Sequence, residues 1–70
     1  MKLTDFEIPP EVARRFVDDM RAFFAEKNGI KRDEIAARQL YTLRRYQRPH
    51  QKKLRLIDVR EMFLQMRDEP

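Results

Sequence analysis

The chain has 70 residues, 40% of them charged, with sixteen Lys and Arg against twelve Asp and Glu, a formal net charge of +4, and no cysteine. That length makes one domain, hiding only a little over ~60% of the surface its unfolded form exposes, and neither disulfides nor thiolate metal sites are available to reinforce it. Apolar packing, with self-association as a further source of stability, has to hold the fold. No apolar run approaches the ~18 residues that span a bilayer, and Met1–Asp5 lacks the apolar core of a signal peptide. A cytoplasmic location is therefore expected, or a nuclear one if the source is eukaryotic, with no membrane partner.

The first predicted element is a short extended N-terminal piece, Leu3-Thr4-Asp5-Phe6-Glu7-Ile8. Pro9-Pro10 then opens a helix over 10–28, because proline's fixed φ and missing N–H suit a first helical position and Glu11 meets the positive end of the dipole. Val12, Ala13, Phe16, Val17, Met20, Phe23 and Phe24 recur at helical spacing on one face. On the other face Glu11 with Arg15, Arg14 with Asp18, and Arg15 with Asp19 stand four apart and are expected to pair. Asn28-Gly29 closes the helix, with Gly29 as a left-handed cap and Ile30 folding back on the last turn.

A second helix is expected over 33–48, with Asp33 capping its start and Pro49 disfavouring helix beyond Arg48. Ile35, Ala36, Gln39, Leu40, Leu43 and Tyr46 share one side, and Arg38, Tyr41, Arg44, Arg45 and Arg48 share the other. The third helix is expected over 58–68. Asp58 is its N-cap, Glu61 completes a capping box, and Ile57 with Met62 forms a hydrophobic staple. Val59, Met62, Phe63 and Met66 make its apolar stripe, leaving Leu64 outside it. The expected core is Phe16, Met20, Phe23, Leu40, Leu43, Val59 and Phe63.

These elements predict an all-α fold: a single small three-helix bundle spanning 1–70, with an extended N-terminal segment and a helix-turn-helix-like order. Residues 32–40, Arg-Asp-Glu-Ile-Ala-Ala-Arg-Gln-Leu, look like the positioning helix of the helix-turn-helix class over nine residues. After Leu40 that class turns, whereas this chain continues its helical pattern through Tyr41-Thr42-Leu43-Arg44-Arg45, so no family is assigned.

Charge is distributed unevenly. Residues 35–57 contain seven bases and no acid, residues 1–34 seven bases and eight acids, and residues 58–70 two bases and four acids. Clustered like charges add their fields where a mixed surface cancels them. The expected function is nucleic-acid binding, to DNA or RNA, through Arg38, Tyr41, Arg44, Arg45, Arg48, Lys52, Lys53 and Arg55. Arginine suits phosphates and base edges because its planar fork donates bidentately, and Tyr41 can stack on a base or donate to a phosphate. The alternative is a protein-interaction adaptor or homodimerising regulatory module, in which the basic face docks an acidic partner and Leu64 anchors a protein interface.

Catalysis is not expected. The chain has no Ser and no Cys, only Thr4 and Thr42 as aliphatic hydroxyls, and a single histidine, His50. A nucleophile with its base and orienting group cannot be assembled in the usual way from that inventory. One histidine and no calcium-loop spacing argue against a metal, and no cofactor is expected.

Overall fold

A computed structural model of the chain describes residues 2–68. A 3-10 turn, Leu3–Asp5, precedes three helices: α1 (Pro10–Ala25), α2 (Gly29–Arg44) and α3 (Leu56–Asp68). No strand occurs among the described residues. The three-helix bundle expected from the periodicities is the fold, measuring 35 × 26 × 20 Å, with α2 in the middle against both α1 and α3.

The core is an aromatic and aliphatic cluster in which Phe16, Phe23, Leu40, Leu43, Val59 and Phe63 are all buried, as their helical spacing demanded. The Phe63 ring lies 4.9 Å from Phe16 and 5.2 Å from Phe23, centroid to centroid and tilted by about 50° in both pairs. Such oblique contacts match ring edges to ring faces and add to simple burial. Met20, by contrast, is only partly buried at the edge of the cluster. Four further members are Phe6, Ala36, Leu54 and Met62, and Gln39 is the one buried polar side chain among the described residues. Phe6 and Leu54 come from irregular segments, where no periodicity marks a residue as internal.

Both joints differ from expectation. Gly29 is not a left-handed stop; no residue among those described has positive φ. Asn28 instead caps the start of α2, its Oδ1 accepting from the backbone N–H of Ile30 at 2.9 Å and of Lys31 at 3.2 Å. Asn at an N-cap satisfies two donors that the helix itself cannot, so α2 begins four residues before Asp33. Gly29 becomes its first helical residue, and Ile30 is 74% exposed instead of folding back. The α1–α2 joint is then only residues 26–28.

At the other end α2 stops at Arg44, not Arg48, and an eleven-residue connection, 45–55, leads to α3. The chain turns early because Leu54 has to return to the core, where it is fully buried. Helix α3 starts two residues before Asp58. Asp58 sits in its first turn and Oδ2 accepts from the backbone N–H of Arg55 at 2.9 Å, the reaching-back half of a capping box, which the sequence pattern places at Glu61. Ile57, assigned to a staple, is 53% exposed.

The N-terminal piece is extended only after its 3-10 turn. It lies against the 45–55 connection, with Gln51 Nε2 donating to the Asp5 carbonyl at 3.5 Å and Glu7 paired with Arg48.

Candidate nucleic-acid interface

The connection between α2 and α3 is held by side chains. Arg44 projects back from the last turn of α2, and its Nε and Nη2 donate to the carbonyl oxygen of Leu54 at 3.2 and 2.7 Å. Gln47 bridges the same loop, its Nε2 donating to the Lys52 carbonyl and its Oε1 accepting from the Leu54 N–H at 3.3 Å. Gln51 Oε1 accepts from the Arg48 N–H at 2.9 Å. A buried Leu54 side chain and these bonds fix a loop that composition alone would leave loose.

The acid-free run of the sequence is not an acid-free face in space. Arg38 donates through Nε at 3.2 Å and Nη2 at 2.9 Å to the two oxygens of Asp19 on α1, and Gln39 Nε2 donates to the same carboxylate at 2.6 Å. The hydrogen bond to Asp19, then its charge, hold the Arg38 guanidinium above its ordinary pKa. Arg48 pairs with Glu7, and Arg55 with Asp58 at 3.5 Å. Asp19 thus crosses to α2; none of the three ion pairs expected along α1 forms among the described residues.

Of the eight expected contact residues, Arg44 is therefore a structural member, half-buried, and Arg38 serves the α1–α2 interface. Arg48 and Arg55 are ion-paired but stay exposed, at 50% and 75% of their side chains. Arg45, Lys52 and Lys53 are exposed and make no side-chain hydrogen bond or ion pair among the described residues. Lys52, Lys53 and Arg55 line a shallow hollow together with Asp58. Tyr41 is 64% exposed, with the Arg44 guanidinium carbon over its ring, 5.9 Å from the centroid. Apart from Arg38, the exposed cations of residues 35–57 thus lie in the connection after α2.

Gln47 and Asp19, which organise this region, carry no signal in the sequence, since both act through partners brought near only by folding. Leu64, on α3, is 42% exposed. No cluster of three or more His, Asp or Glu side chains able to hold a metal occurs among the described residues, and none of their helices is long and apolar enough to cross a membrane. Against known protein families, curated proteins and solved structures, the chain has no significant match.

Proposed function

We propose that this chain is a non-enzymatic nucleic-acid-binding domain whose phosphate contacts come from Arg45, Arg48, Lys52, Lys53 and Arg55. The supporting observation is that Arg45, Lys52 and Lys53 stand exposed and uncommitted on one braced loop. Arg48 and Arg55 add to them readily. An exposed ion pair is worth about 0–1 kcal/mol, so exchanging Glu7 or Asp58 for a phosphate costs little. Arg38 is left out of this set because both its Nε and its Nη2 are already engaged by the Asp19 carboxylate.

Three to five phosphate contacts set the expected salt dependence. Each neutralised phosphate releases condensed counterion, and raising salt from about 50 to about 200 mM then weakens binding roughly 40- to 500-fold. Fluorescence anisotropy with labelled DNA and RNA oligonucleotides at those two salt concentrations measures this. No binding to either polymer at the lower salt, with the protein at tens of micromolar, removes the proposal.

One observation favours a second reading. Ile57 and Leu64 stand seven residues apart on α3, hence on one side of it, and are 53% and 42% exposed. As an interaction module the chain would use this side against a second copy or an acidic protein. Sedimentation at micromolar concentration tests self-association; a monomer unaffected by Leu64→Glu leaves that side without a role in dimerisation.

A further inference from the structure

We infer, building on the nucleic-acid reading, that the preferred ligand is a single strand, with one unpaired base stacked on Tyr41 and its neighbouring phosphates held by Arg45, Lys53 and Arg55.

Tyr41 is a large aromatic left 64% exposed within the acid-free run of the sequence. The Arg44 guanidinium lies over it at 5.9 Å, and that guanidinium is pinned by two hydrogen bonds to the Leu54 carbonyl. One side chain therefore lies between the tyrosine and the backbone that carries Lys53 and Arg55. Arg45, the C-cap residue of α2, follows Tyr41 by four residues in right-handed helical backbone. The aromatic face thus stands beside the Arg44 guanidinium, with Arg45 at the helix end and Lys53 and Arg55 on either side of the Leu54 that Arg44 holds. This is the pairing of stacking platform and backbone electrostatics on which single-strand recognition rests.

A duplex uses this surface poorly. Its bases already stack on one another, so a tyrosine face finds no partner there, only phosphates and base edges. The surface offers three to five phosphate contacts, fewer than the roughly six to ten of a strongly salt-dependent duplex binder. Laid along α2, a duplex would also meet Glu34, an exposed acid seven residues before Tyr41 and on the same side of the helix. A flexible strand avoids Glu34 by bending over Tyr41 into the loop. It also gains the stacked base, which is worth roughly 5- to 140-fold in affinity.

The test compares a fluorescein-labelled single strand of about ten nucleotides, a length within ordinary site sizes, as DNA and as RNA, with the duplex of the same length. The parent is expected to bind at least one single strand about tenfold or more tighter than the duplex. Tyr41→Ala should remove that preference and Tyr41→Phe retain it, while helix content by circular dichroism stays unchanged in both, because the side chain is exposed. A duplex bound as tightly as either single strand, or a single-strand affinity indifferent to Tyr41→Ala, overturns the inference and leaves the nucleic-acid reading standing. Absence of binding to every probe overturns both. The DNA and RNA arms decide which sugar the site accepts.

Discussion

Both donating nitrogens of Arg44, Nε and Nη2, converge on a single acceptor, the carbonyl oxygen of Leu54, at 3.2 and 2.7 Å. This joins the last turn of α2 to the residue that re-enters the core before α3. A part-buried carbonyl deprived of its charged donor costs about 1–3 kcal/mol. Arg44→Met, which keeps the apolar stem, should lower the melting temperature by roughly 5–20 °C for a chain of this size. A melting curve superimposable on the parent's would show that the loop does not depend on this bond.

Asp19 should matter more than its ionic partner. Asp19→Ala strips an acceptor from Gln39, which is only 3% exposed and whose Oε1 already lacks a partner among the described residues. The expected cost is about 1–3 kcal/mol. Arg38→Ala removes an ion pair whose cation is 62% exposed, expected at about 0–1 kcal/mol. Urea denaturation of the two variants distinguishes them; equal costs would assign the contribution to the ion pair and not to the buried amide.

Gly29 offers a test of sign. At the first position of α2, with nothing within 4 Å of where a Cβ would stand and without positive φ, it accepts alanine unstrained. Gly29→Ala should stabilise the protein by about 0.4–1 kcal/mol by restricting the unfolded chain. Had Gly29 been a left-handed stop, the same change would destabilise. A fall in melting temperature would contradict the joint described above.

The location of binding is tested by charge reversal at matched net charge. Arg45→Glu with Lys53→Glu disrupts no hydrogen bond or ion pair seen among the described residues, so the fold should persist while binding weakens roughly tenfold or more and the salt slope falls by about 2. Arg14→Glu with Arg21→Glu on α1 should change binding far less, because exposed charges are screened beyond about 10 Å at ordinary salt. Equal losses from the two pairs would make bulk charge responsible.

Leu54 and Arg38 mark the boundary between what was legible in the residue order and what was not. Helical periodicity is local, so three amphipathic segments, the all-α class and six core residues of those segments could be read directly: Phe16, Phe23, Leu40, Leu43, Val59 and Phe63. Proline at the start of α1 was legible for the same reason. The helix ends were less so, because Asn28-Gly29 is chemically suited both to stopping one helix and to starting the next, and the length of chain needed to bring Leu54 home decided where α2 ended. The clustering of bases in residues 35–57 was likewise plain in the sequence. What that cluster looks like to a ligand was not. Asp19, Glu7 and Asp58 lie outside the acid-free run and reach Arg38, Arg48 and Arg55 only once the chain is folded, and Coulomb attraction depends on distance in space, not on separation along the chain. Composition determined that a cationic region exists; tertiary packing decided that Arg45, Lys52 and Lys53 are its uncommitted part.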